Sequence, residues 1–260
     1  MPNLCLFCDN NAGNREHLWP KWIHDRIDFG PLKMDRYRSQ QIIIPYPEIT
    51  IKSVCATCNN GWMSDLEAKN IPAIGSMLVD LSITLDRSAQ ESVAAWTIKT
   101  AMMLDSTRPK AAGARFYRKD DCTKMRESMF IPEYTRVWLG RIKSKHLLAL
   151  GTDYRYLRLD TSEPHGQSTI TTLVAGHFVA QAITQRKFPK FAHLDMPVLQ
   201  PKGSGWVNYL TQIWPIERKW VTWPPRDPFT NGGANGVAYL LDRWRVGEQV
   251  DPSALADMPS

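Results

Sequence analysis

Four of the five cysteines fall in two pairs, Cys5-x-x-Cys8 and Cys55-x-x-Cys58, separated by 46 residues. A Cys-x-x-Cys pair on a tight turn can direct both sulfurs at one ion, and two such pairs supply the four thiolates of a closed tetrahedral zinc site. Where thiols stay reduced, paired cysteines of this kind are metal ligands more often than disulfides. A four-thiolate site leaves no open position for water, so zinc held here is expected to support the fold and not to catalyse. The fifth cysteine, Cys122, is isolated and reads as an ordinary thiol.

A second chemistry-bearing feature is electrostatic. Residues 1–70 hold eight basic and eight acidic side chains, whereas residues 107–145 hold eleven Lys and Arg against four acids. That local excess of seven exceeds the +6 of the whole chain. Such a field attracts polyanions. Within it, Arg115-Phe116-Tyr117-Arg118-Lys119 sets two rings among three cations, a mixture suited to holding phosphates and stacking on bases. Arg115, Arg118 and Lys119 are therefore the candidate nucleic-acid contacts, against the plainer reading of a solvated basic face.

The elements that must carry these residues follow from local patterns. Pro20–Arg26 suits a short helix with Pro20 at its first position. Ile42–Ile44 and Thr50–Val54 read as strands, the second leading into Cys55. Asn59-Asn60 is expected to cap a helix from Trp62 to Lys69 that Pro72 closes. Ser88-x-x-Glu91 reads as a capping box opening a helix to Leu104, apolar on nearly all sides and hence buried. Thr135–Ile142, Leu147–Leu159, Ser168–Thr184 and Trp206–Trp214 read as strands, with Gly176 marking a bulge. Val237–Trp244 reads as a last helix and the tail from Gln249 as loose. The organisation expected is a cysteine module over residues 1–80 and a helical, then mostly antiparallel-β region over 81–260, an α+β protein.

At 260 residues, 43% hydrophobic and 22% charged, the chain has a globular composition, and no apolar run approaches the ~18 residues of a membrane helix. A disulfide-rich secreted scaffold is excluded by five cysteines in a chain this long. With no signal-like N-terminus, a soluble cytoplasmic protein is expected.

Three strings bear a resemblance: Cys5-Leu6-Phe7-Cys8, then Glu16-His17-Leu18-Trp19-Pro20, then Cys55-Ala56-Thr57-Cys58-Asn59. In this order they resemble the HNH, or ββα-metal, endonuclease superfamily in its zinc-stabilised treble-clef form. The run Cys-Asn-Asn-Gly-Trp-Met with Leu66-Glu67 is also similar to bacterial proteins labelled only as HNH. The resemblance covers about residues 1–70. It implies a zinc-stapled ββα module in which His17 is the general base, while Glu16 and Asn59 hold a single Mg²⁺ or Mn²⁺. The implied reaction is hydrolysis of a nucleic-acid phosphodiester, DNA above RNA. Where the family carries an Asn five residues before the third cysteine, this chain has Thr50. Where the family carries Asp or His, it has Glu16. The rival expectation is a non-catalytic zinc module that binds nucleic acid or protein.

Overall fold

The computed structural model describes residues 4–27, 32–36, 40–44, 50–107, 115–157, 164–193 and 207–229. The helix expected at Val237–Trp244 and the tail from Gln249 lie outside these residues. Helix and strand are mixed in an α+β arrangement. The N-terminal part runs β1 (Asn14–His17), α1 (Lys21–His24), a β2–β3 hairpin (Leu32–Arg36 and Gln40–Ile44), β4 (Thr50–Val54) and a one-turn helix α2 (Ala56–Cys58). The chain continues without a loop through a widened turn, Asn59–Met63, into α3 (Ser64–Leu78). β5 (Ile83–Leu85), α4 (Arg87–Ser106), α5 (Lys119–Ser128), β6 (Thr135–Leu157), β7 (Pro164–Lys187), β8 (Leu210–Trp214) and β9 (Val221–Trp223) complete it.

β1 and β4 form an antiparallel pair that sets Glu16 opposite Ile51 and His17 opposite Thr50. β6 is the middle strand of an antiparallel sheet in the order β7-β6-β8, and β5 pairs with β9. The two strand pieces expected at 135–142 and 147–159 are one strand, joined across an irregularity between Arg141 and His146. Gly176 lies opposite His146 in the left-handed region, at φ +56°. The expected bulge is therefore there.

Three expected helix ends are corrected. Pro72 lies inside α3 and does not close it. The donor that proline lacks would serve the Ala68 carbonyl, and both residues are exposed, so water can satisfy that carbonyl. The N-cap of α4 is Asp86, whose Oδ1 accepts from the Ala89 N–H at 2.8 Å. Ser88 is already within the helix. The expected cap at Asn59-Asn60 is displaced in the same way. The Cys55 sulfur caps α2 by accepting from the Cys58 N–H, and Asn59 has helical dihedrals. α5 was not foreseen, because acids and bases follow one another there with little apolar period.

α4 is the hub. Trp96, Ile98, Met102 and Met103 are fully buried, and α4 packs against α3 and strands β6, β7 and β8. Each large apolar side chain so buried contributes about 1.5–3 kcal/mol. Trp19 after β1, Trp96 on α4 and Phe178 on β7 stand ring to ring, with centroids 6.3 and 6.2 Å apart, so one core joins the cysteine module to the sheet. Polar ties fix the angle: Asn70 Nδ2 donates to the Ser92 carbonyl and hydroxyl, and Gln90 Nε2 donates to the Leu85 and Arg218 carbonyls.

The tightest backbone approach is at the bulge. A Cβ on Gly176 would lie 2.2 Å from Ile27 Cδ1 and 2.4 Å from the Leu78 carbonyl oxygen. Gly176→Ala adds this clash to an unfavourable φ and should cost about 2–4 kcal/mol, read as a shift in the urea unfolding midpoint.

Candidate metal centre and its acidic neighbour

The Cys5–Cys8 knuckle is held against β4 by backbone bonds. Leu6 N–H donates to the Ser53 carbonyl at 2.7 Å, and Cys5 N–H donates to the Asn10 carbonyl at 2.8 Å. β4 delivers Cys55 to the start of α2, and one helical turn brings Cys58 to the same side. The four sulfurs all lie within 4.8 Å of one another and all four residues are buried. Two of the separations, Cys8–Cys55 and Cys58–Cys8, are 3.5 and 3.6 Å. Tetrahedral ligation with metal–sulfur bonds of about 2.3 Å requires sulfurs about 3.8 Å apart. The donor set therefore fits a metal ion, and Zn²⁺ is compatible with it.

Burial pushes the Cys5 and Cys58 thiols up. At Cys55 burial acts the same way, but the Cys58 N–H and the neighbouring thiols donate to its sulfur and bring it down to about 7. One thiolate is thus available near neutral pH, and an arriving metal displaces the other protons.

Beside the cysteines lies the acid of the Glu16-His17 pair. Glu16 is buried, and burial raises its carboxyl to about 7, opposed by the Lys99 charge and by a hydrogen bond from Asn59. The nearby Glu67 carboxylate adds to the rise. Because Cys55 caps α2, the Asn59 amide is spared that duty and reaches Glu16. An amide that donates through its nitrogen still has its oxygen to offer a cation. Glu16 and Asn59 are thus brought together by elements 43 residues apart. His17, half-buried, is the next residue on β1 and closes the ladder against Thr50. His24, the last residue of α1, is buried.

The basic segment is different from its expectation in one respect. Phe116 and Tyr117 are buried, 2% and 3% exposed, and stand edge to face 5.1 Å apart. The Tyr117 hydroxyl meets Thr184 Oγ1 at 3.1 Å. The rings serve the core and are not available to stack on bases. Arg115 and Arg118 are exposed. Lys119 opens α5, and its ammonium donates to the Cys5 and Cys8 carbonyls at 2.9 and 2.5 Å. Asp9 stands 3.4 Å from the same nitrogen. Lys119 thereby clamps the knuckle to α5.

Sequence reasoning gave Lys99 no place, and Glu67 appeared only within the resemblance, although both charges act on Glu16. Lys99 was hidden in an otherwise apolar helix, where charge in the middle of a buried run was the available signal. Comparison with protein-family models, with curated proteins and with solved structures finds no match. No helix among the described residues is long and apolar enough to cross a membrane.

Two outcomes are expected. Freshly purified protein should carry one tightly held metal ion per chain by elemental analysis. Cys55→Ser should lose it and lower the melting temperature by at least about 5 °C, the shift about 2 kcal/mol produces at this size. Cys122, 0% exposed, stands outside the cluster, and burial pushes its thiol up to about 12. The folded state keeps a proton that the unfolded chain releases near pH 9, so this contribution is present below pH 9 and is lost as pH rises toward 12. The decline in urea-determined stability over that range should be shallower in Cys122→Ala.

Proposed function

We propose that the chain is an endonuclease of HNH, ββα-metal type, hydrolysing phosphodiester bonds of nucleic acid, in particular DNA. On this reading Cys5, Cys8, Cys55 and Cys58 hold a structural Zn²⁺ in a treble-clef module, with β1 and β4 as its strands and α2–α3 as its helix. The observation that carries the reading is the contact between Glu16 and Asn59 immediately beside the four thiols. A buried carboxyl raised toward neutrality, with an amide oxygen at hand, suits a cation that replaces the missing solvation.

Glu16 and Asn59 are the ligands in this reading. A bound Mg²⁺ or Mn²⁺ would stabilise charge on the phosphate and on the departing 3′ oxygen. His17 takes the proton from the attacking water, a role a neutral imidazole performs near physiological pH. The strand ladder to Thr50 holds the His17 backbone, in place of the side-chain amide the family carries. Arg115 and Arg118 supply exposed positive charge for the phosphate backbone, and Lys119 supports them through the knuckle.

Plasmid cleavage in Mn²⁺ tests this. His17→Ala should cut about 10²–10⁴-fold more slowly while keeping its tightly bound metal and its melting temperature. Cutting at the wild-type rate would refute the assignment of His17. Loss of metal and fold would make His17 structural and favour a zinc module that binds without catalysing.

A further inference from the structure

Where the end of β7 meets α5 and the loop after it lies a cavity of about 430 Å³, within the ~300–1,000 Å³ of typical ligand sites. At its base is the Asp121–Arg186 ion pair, with side chains 13% and 16% exposed, and the guanidinium lies over the Phe116 ring, 5.5 Å from the centroid. Two lining rings each carry an ammonium: Lys124 stands 5.7 Å from the Phe130 centroid and Lys187 5.5 Å from the Tyr134 centroid. The loop that holds both rings is bracketed by two left-handed residues, Met129 at φ +55° and Tyr134 at φ +56°. Met129 closes α5, a position where that conformation is common. Tyr134 ends no helix, and the left-handed region is costly for a residue with a Cβ. Its ring is 48% exposed, so burial offsets little of that cost. The Gln185 N–H holds it there by donating to the Tyr134 carbonyl at 3.2 Å. A strained residue that presents an aromatic ring at the mouth of a cavity points to a ligand, because folding alone would favour glycine there.

The chemistry of that ligand follows from the lining. Lys124 is paired with Asp120 at 2.8 Å and Arg186 with Asp121, and Glu133 adds a further acid, so the positive excess is small. Charge alone would hold an anion weakly there. Ring faces beside ammonium groups select a ligand that is both flat and anionic. We propose that the cavity takes one unstacked nucleotide of a single strand, with its base on the Tyr134 ring and its phosphate at Lys187. The proposal rests on the nucleic-acid reading given above and names the form of nucleic acid that this region binds. Within a duplex the base faces are covered by their neighbours, so a side-chain ring reaches one only where the strand is single or splayed open. Lys187 also donates to the Ala192 carbonyl at 3.3 Å, which keeps the ammonium at the Tyr134 ring. Phe130 with Lys124 repeats the pairing on the α5 side. Unlike Phe116 and Tyr117, these rings are not enclosed by the core: Tyr134 is exposed and Phe130 half-buried.

The test is binding of a short fluorescein-labelled DNA single strand, and of the same strand annealed to its complement, read by anisotropy. The full-length chain is used with its cysteine site loaded and with no Mg²⁺ or Mn²⁺ added, so that cleavage does not intervene. Tyr134→Gly should weaken single-strand binding about tenfold and leave duplex binding within about twofold of wild type. Its melting temperature should stay level or rise, because glycine accepts the left-handed backbone, so the loss cannot be put down to unfolding. Tyr134→Phe keeps the ring face and should bind the single strand as wild type does. Lys187→Met should flatten the log–log salt dependence of single-strand binding by about 0.7, the share of one phosphate. Wild-type single-strand affinity in folded Tyr134→Gly, or an equal loss for strand and duplex, would overturn the proposal. Should that variant not fold, Tyr134→Asn, which also tolerates the left-handed region, is read in the same way. A wild type that binds the duplex and not the single strand would overturn the proposal and leave the nucleic-acid reading standing. A wild type that binds neither would remove the nucleic-acid reading itself.

Discussion

Fifty residues of chain separate Cys5 from Cys55, and between them lie β1, α1 and the β2–β3 hairpin. Bringing the ends of that loop together costs chain entropy. Four sulfurs within 4.8 Å are the closure. Once they are fixed, β4 must run beside β1, α2 must start at Cys55, and the turn after it must place Asn59 against Glu16. The acid site is a by-product of the sulfur geometry, because no local preference of Glu16 or Asn59 would bring them together.

The parts of this arrangement that could be read from the chain are those set by short-range chemistry. Thr50–Val54 alternates and ends at a cysteine, and the structure has that strand with those bounds. The apolar wrapping of residues 93–104 marks a buried helix, and α4 is that helix. Gly176 stands out in a β-branched run and proves to be the residue at a bulge. The same signals fail where tertiary contacts decide. Pro72 ordinarily ends a helix, yet α3 passes through it at an exposed position where water can satisfy the orphaned carbonyl. Asn59 has the composition of a cap, yet a cysteine sulfur takes the role. Phe116 and Tyr117 look like stacking platforms among cations until Thr184 and Arg186 are seen to enclose them.

Glu67 and Lys99 illustrate a different limit. They are 32 residues apart, on helices whose crossing no local pattern specifies. A lysine inside an apolar helix announces that something charged must meet it, because an ammonium left alone there would be prohibitively costly. It does not announce what. Only the packing of α3 on α4, set by contacts such as Asn70 with Ser92, names the partner.

The clamp formed by Lys119 bears on the stability of the cysteine centre itself. A divalent ion held by the four thiolates would carry a net double negative charge, and with all four cysteines and Phe7 buried that charge would be poorly solvated. Two carbonyls of the knuckle turn outward to the Lys119 ammonium, which brings a full positive charge to the rim of that enclosure. The residue sits more than a hundred positions away in the chain, at the first turn of a helix whose Asp121 is ion-paired with Arg186 on β7. α5 thus ties the sheet to the cysteine centre, pairing with β7 through Asp121 and with the knuckle through Lys119, so that a positive charge at the sulfurs' rim is carried by a helix anchored on the sheet.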